Sequence, residues 1–557
     1  MEPAELIIIL CAICICALLA HRLQVSPPVA FLLGGLGLAL IPGMHIPHIE
    51  PEMMLILFLP PILMEAAFFT SIREFRTNLR PILLLAVGLV VLTACVTAGV
   101  VVALLPGAPW ALGFVLGAII SPPDAAAATS ALRGAPIPRR IVSILEGESL
   151  VNDASGIVLY KFAIAAVMVG SFSFADASVE FVWKAGAGIV IGLAVAYFFI
   201  RMFPLLRDES IEILSTFVPP YAAYLLAESL DASGVLAVVA AGLLIGWHAP
   251  SLFSHRMRIP ANAVWRMMIF FINALAFLLI GLQLPDLVRR LHIYDTSFVV
   301  ACAIAVCAAT IVIRFLFVFG MTYLVRNFFT SYCKREPLPS WQNIFLISWT
   351  GMRGVVTLAL AAAIPMTLAN GDPFPYRDLI IFLAVSVILA TLVLQGITLP
   401  WLSSKLKLSF DPKRMQEEWI ARMRTARSAL EVLNRLEQED DVHHPALARI
   451  RSHYKERIES LGDGPNTPLD PHQMPSLGTH PLVVAENRIW HEVLEREREV
   501  VLDMRRQFTI DDDVMHEMLR EMDMRASSFF YTPESLPQPK RETKRSLLQR
   551  ALRGHTA

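Results

Sequence analysis

Apolar residues run in long blocks from the N-terminus to about Leu399, separated by short polar stretches, and after Lys405 the pattern changes to dense charge. A helix rises about 1.5 Å per residue, so roughly 20 apolar residues cross the ~30 Å hydrocarbon core of a bilayer. On that measure thirteen blocks read as transmembrane helices: 5–21, 27–42, 53–69, 81–105, 110–132, 140–169, 180–203, 211–229, 234–249, 262–282, 297–325, 341–367 and 378–400. The expected fold is an all-α polytopic membrane domain over 1–404, followed by a helical tail over 405–557. Within the tail, Gln416–Leu461 and Ala485–Phe529 are charged and roughly helical in period, with a Gly-, Pro- and His-containing linker near Gly462–His480. The last stretch, Pro537–Arg553, is basic and broken by proline. It reads as a solvated disordered end or as a patch for anionic lipid head groups.

Three spans carry breaks. Ser121-Pro122-Pro123-Asp124 places two prolines in the fifth span, which removes two backbone donors and forces the chain off helical geometry. Trp349-Thr350-Gly351-Met352-Arg353-Gly354 puts two glycines and an arginine in the middle of the twelfth. Broken backbone at membrane depth is tolerated only where protein buries it or where it lines a cavity. A pair of interrupted spans in corresponding halves of the chain points to a transport site near the midplane. Pro60-Pro61, ahead of Glu65, is a weaker third interruption, because proline kinks are common in membrane helices.

The sixth span opens on Glu146-Gly147-Glu148-Ser149-Leu150-Val151-Asn152-Asp153. A charge at the bilayer centre costs about 2.5–3.5 kcal/mol on insertion scales, so carboxylates here are read as functional. Glu148 and Asn152 stack four residues apart on a helix, as do Ser149 and Asp153, which offers oxygens from two adjacent stripes to one small volume. Glu146 and Glu148 also have a simpler reading, as acidic residues favouring a helix N-terminus. Arg314, inside Ile311-Val312-Ile313-Arg314-Phe315-Leu316, needs an anion, for which Glu148 is the partner, or must snorkel to the surface.

Composition agrees with the pattern. Of 557 residues, 55% are hydrophobic and 17% charged, with a mean hydropathy of +0.57, which is the profile of a polytopic membrane protein. The net charge is −1, and nothing in the part before about Leu399 resembles a basic nucleic-acid surface, so no nucleic-acid partner is expected. Arginines and lysines gather in alternate loops (Arg22; Arg73, Arg76 and Arg80; Arg133, Arg139 and Arg140; Arg201 and Arg207), so the positive-inside rule places the N-terminus outside and the C-terminus in the cytoplasm. The acidic Met1-Glu2-Pro3-Ala4-Glu5 start, followed at once by more spans, reads as a first helix rather than a cleaved signal. Cys11-x-x-Cys14-x-Cys16 has a metal-like spacing but no companion His or carboxylate, and reads as small apolar residues. No cofactor motif appears, and no nucleophile with an adjacent base suggests an enzyme.

Taken together, Phe58-Leu59-Pro60-Pro61-Ile62-Leu63-Met64-Glu65-Ala66-Ala67, Ser121-Pro122-Pro123-Asp124, Glu146 to Asp153 and Gly351-Met352-Arg353-Gly354 resemble the sodium/proton antiporters of the bacterial and animal exchanger branch. The resemblance spans the whole membrane domain. It implies thirteen helices in two inverted repeats, a dimerisation bundle and a core bundle in which two broken helices cross, and a homodimer in the bacterial inner membrane. It implies that Asp153 binds cation and proton alternately, with Asn152 beside it, Asp124 and Ser149 as further Na+ ligands, and Glu65 facing the site. Glu148 and Arg314 would form the family's structural ion pair, and Pro122, Pro123, Gly351, Arg353 and Gly354 its crossover. Many relatives carry Thr-Asp-Pro where this chain has Pro123-Asp124-Ala125, so a threonine hydroxyl is missing and the ion preference is open between Na+ and K+. Carboxylate, carbonyl and hydroxyl oxygens are the ligands a hard cation takes, and a proton competes with it for the same carboxylate. With one exchangeable charge the exchange is expected to be electroneutral. A cation channel or a membrane sensor built on the same acids is the competing class.

Overall fold

Each apolar block folds as a helix because a chain in hydrocarbon must satisfy its own backbone hydrogen bonds. The structure, a computed structural model, describes residues 3–406 apart from 24–25, 42–50, 133–136, 170–173, 207, 254, 329–339 and 369–370. Of the tail it describes only 423, 426–431, 433–434, 451–452, 454–456, 458–459 and 524. The readings of Gln416–Leu461, Ala485–Phe529 and the basic end therefore lie wholly or largely outside the described residues.

In chain order the helices are α1 (Pro3–Leu23), α2 (Pro27–Ala39), α3 (Pro51–Phe69), α4 (Ile72–Thr77), α5 (Leu79–Leu83), a π-helical turn (Leu84–Leu89), α6 (Val90–Leu104), α7 (Trp110–Ile120), α8 (Ala125–Ala131) and α9 (Arg139–Val169). They continue as α10 (Phe174–Met202), α11 (Glu209–Ser215), α12 (Val218–Ser229), α13 (Gly234–Leu252), α14 (His255–Arg290), α15 (Thr296–Phe328), α16 (Trp341–Trp349), α17 (Val355–Ala362) and α18 (Arg377–Lys405). Among the described residues, seven helical stretches are long and apolar enough to cross a membrane by themselves. The other expected spans are shorter helices such as α2, α3 and α13, or the half-helix pairs α7/α8 and α16/α17. Length and composition alone do not make thirteen crossings of them.

Met1–Asp411 and Pro412–Ala557 form two separate compact units, and every helix named above belongs to the first. Within it, α1 lies on α2, α2 along α14, α10 and α12 on α13, and α13 on α3. A second group stacks α6 on α7, α7 on α9, and α15 on α6 and α16, with α17 against α3, α7 and α18. Large apolar side chains remain exposed on the outside, among them Ile7, Leu18, Trp183, Val190, Phe198 and Leu316, as expected of a surface whose solvent is lipid.

Two features differ from the sequence reading. Pro60 and Pro61 do not interrupt α3, which runs through both. The carbonyl that the Pro61 ring leaves without its helical donor is that of Leu57, and the Tyr221 hydroxyl of α12 donates to it at 3.3 Å. A neighbouring helix thus supplies the bond, which is how prolines persist in membrane helices. The second feature is the π turn inside the fourth apolar block, three residues after Pro81, which the sequence reading did not single out.

Candidate functional site

Two breaks in two half-helix pairs meet at one point. Helix α7 ends at Ile120 and α8 starts at Ala125, while α16 ends at Trp349 and α17 starts at Val355. The backbone N–H of Asp124 donates to the Met352 carbonyl at 2.6 Å, joining the two unwound segments directly. Pro122 and Pro123 have no N–H to lose at the break, and Asp124 is the first residue after them with a donor. Its carboxylate also accepts from Ala127 N at 3.3 Å, in the manner of an N-cap for α8.

The glycines of the second break have a steric reason. A Cβ on Gly354 would collide with the Asp124 carboxylate, and one on Gly351 would lie 2.7 Å from Cδ of Arg314. Both positions must lack a side chain for the crossing to close. Support comes from α18, where Thr391 Oγ1 accepts from Arg353 N at 3.2 Å and Thr398 Oγ1 accepts from Trp349 Nε1 at 2.8 Å. These threonines are seven residues apart, on one face of the helix. The sequence reading passed over them, although two hydroxyls at that spacing in an apolar helix are a legible polar stripe.

Helix α9 brings its polar face to the crossing. Asn152 is fully buried and donates from Nδ2 to the Pro123 carbonyl at 3.4 Å, and the Ser149 hydroxyl accepts from Ala125 N at 3.2 Å. Asp153 is 8% exposed, and among the described residues no hydrogen bond or ion pair reaches its carboxylate. Asp124 lies close enough to act electrostatically on both Asp153 and Glu65. Glu65 is half-buried on α3 and faces a cavity of about 510 Å³ walled by α3 and α12–α14, with Phe68, Phe253 and Trp265 among its lining. Glu146 is exposed and lies well inside α9, not at its start.

Arg314 does not snorkel. It is 2% exposed, and its guanidinium forms a two-pronged bond with the equally buried Glu148, at 2.6 and 3.0 Å. Its Nε and Nη2 also donate to the Ile347 carbonyl, at 3.3 and 3.1 Å. Ile347 lies in the last turn of α16, so the guanidinium also meets the negative end of a half-helix dipole. Arg353 is buried too, with Nε and Nη1 unpartnered among the described residues.

Among the described residues no group of three or more His, Cys, Asp or Glu side chains is gathered for a metal ion. The crossing offers a different set: two carboxylates, one hydroxyl and the carbonyls freed by the breaks. Oxygens of these kinds are the ligands that a hard cation takes.

Residues 7–405 match the family described as sodium/hydrogen exchanger, transmembrane. An exchanger of Mycobacterium tuberculosis named for Na(+)/H(+) is 32% identical over 532 residues, covering 93% of this chain and 94% of its own length. A sodium, potassium, lithium and rubidium/H(+) antiporter of Bacillus pumilus is 34% identical over 479 residues, covering 83% of this chain and 70% of its own length. Among solved structures, the sodium proton antiporter MjNhaP1 of Methanocaldococcus jannaschii at pH 8 superposes with a TM-score of 0.53 at 20% identity, over 72% of this chain and 99% of that one.

Proposed function

The chain belongs to the sodium/hydrogen exchanger family, and we propose that it is a secondary active transporter that exchanges Na+ for H+ across the plasma membrane by alternating access. The observation that carries this reading is the buried Asp153 carboxylate, without a hydrogen bond among the described residues, beside a crossing of two broken helices. An unpaired buried carboxylate is costly as a bare anion, so it holds either a proton or a cation. Asp153 is the shared group in this proposal, Asp124 and Ser149 lend oxygens to the cation, and Asn152 fixes the crossover through Pro123.

Glu148 is neutralised by Arg314, and Asn152 adds no second charge beside Asp153. With Asp153 as the one shared group, one cation replaces one proton and the charge of the site is the same in either loaded state, which supports electroneutral one-for-one exchange. The N-terminus outside, the C-terminus in the cytoplasm, a homodimer in a bacterial inner membrane and a regulatory role for the tail belong to the same proposal. No cofactor and no catalytic residue enters it.

K+ is a second reading, favoured by one feature of the site. Pro123 contributes a carbonyl where a threonine would add a hydroxyl, leaving a less polar shell, and the Bacillus pumilus relative is named for potassium as well as sodium. The experiment for both readings is dequenching of a pH-sensitive dye in vesicles that contain the purified protein, with Na+, Li+ or K+ added in turn. Cation-driven proton flux that disappears in Asp153→Asn is the expected result. Flux retained in a folded, inserted Asp153→Asn protein refutes the shared-site mechanism, and absence of any proton-coupled flux in the wild type refutes antiport in favour of a channel or sensor.

A further inference from the structure

Helix α9 carries one more polar group beside the site, outside every motif discussed above. Ser155, two residues past Asp153, donates from Oγ to the Ala86 carbonyl at 2.5 Å, with the Asn152 carbonyl of its own helix at 3.1 Å. A helical serine ordinarily bonds back to a carbonyl three or four residues earlier. Here that acceptor is in reach, yet the shorter contact goes to another helix, and a hydroxyl has only one proton to give.

The acceptor is unusual as well. Ala86 is fully buried in the π turn Leu84–Leu89, a rare geometry that recurs at functional sites. A π turn breaks the regular ladder, and a carbonyl has a second lone pair for a side-chain donor. On the other side of Ser155, a Cβ on Gly156 would collide with the ring of Pro122 in the first break. The Ser155-Gly156 pair therefore fits the Asn152-Asp153 turn between the fourth apolar block and the crossing, one residue by a hydrogen bond and the other by having no side chain.

We propose that Ser155 is a positioning residue for cation binding: its bond to the Ala86 carbonyl in the π turn holds the Asn152-Asp153 turn at the distance from Asp124 and the crossover carbonyls that the ion requires. The proposal rests on the antiporter reading. Ser155 touches neither ion, and acts through the placement of Asp153.

The test uses the full-length protein in vesicles, with Na+-driven proton flux measured across Na+ concentration at several pH values. Ser155→Ala should weaken apparent Na+ affinity about three- to tenfold, the size of one lost neutral hydrogen bond, with the maximal rate at saturating Na+ kept within about twofold. Ser155→Cys, similar in volume but a poor donor, should match Ser155→Ala, whereas Ser155→Thr, which keeps the hydroxyl, should recover most of the wild-type affinity. The pH dependence of affinity should be displaced in parallel, because Asp153 is still the shared group. Unchanged affinity in Ser155→Ala overturns the proposal, as does a Ser155→Cys protein that behaves like wild type, since packing would then be the cause. These outcomes are separable from failure of the antiporter reading, which appears as missing flux in the wild type.

Discussion

Removing Glu148 tests how the core of the site is held. In Glu148→Gln the Arg314 guanidinium stays buried at 2% exposure but loses its counter-charge, and the amide nitrogen now confronts one of the two donors that bonded at 2.6 and 3.0 Å. Breaking a buried ion pair from one side typically costs about 3–5 kcal/mol. Arg314→Met from the other side strands the Glu148 carboxylate and takes two donors from the Ile347 carbonyl. It should cost about as much. In the double variant neither member of the pair is left behind as a charge stripped of its partner. Its remaining deficit is the buried amide at position 148, about 1–3 kcal/mol for one unsatisfied polar group, since the Ile347 carbonyl still accepts from the Thr350 hydroxyl at 3.1 Å. The double variant is therefore expected to be more stable than either single variant, a strong departure from additivity. Thermal melting of the detergent-purified proteins, followed by fluorescence-detected size exclusion, measures the order directly. A double variant as damaged as the sum of the singles would refute the reasoning and show that Arg314 does not depend on Glu148.

Three further expectations follow from the same geometry. If Asp153 serves proton and cation in turn, apparent Na+ affinity should fall about tenfold per pH unit below its pKa and level off above it; an affinity that is constant over several pH units would separate the two sites. Gly354→Ala, whose Cβ would enter the Asp124 carboxylate, should abolish exchange, whereas Gly320→Ala in α15, with open space around it, should leave flux intact and gain up to ~1 kcal/mol of helix stability; equal flux in the two variants would refute the close approach. Lys161 of α9 and Glu228 of α12 pair at 2.7 Å across the two helix groups, so cysteines at both positions, once cross-linked, should stop exchange until reductant is added, and exchange through the cross-linked protein would show that α9 does not move relative to α12.

The local chemistry of this protein was legible in its sequence because it depends on neighbours in the chain. Hydropathy marked the apolar blocks, the prolines of Ser121-Pro122-Pro123-Asp124 and the glycines around Arg353 marked the breaks, and spacing by four put Glu148, Ser149, Asn152 and Asp153 on one side of α9. The expense of a lone charge in hydrocarbon named Glu148 as one of two fates for Arg314, and packing chose it over snorkelling. Tertiary structure decided the rest. That α3 survives Pro60-Pro61 depends on Tyr221, which only packing brings to the Leu57 carbonyl. That Gly354 must be glycine depends on Asp124, far away in sequence, and that Ser155 bonds outward depends on a π turn in another helix. Periodicity reports which face of a helix is polar. It carries no information about which carbonyl, freed on a different helix, will meet that face, because that choice is made by the crossing of whole helices and not by any one of them.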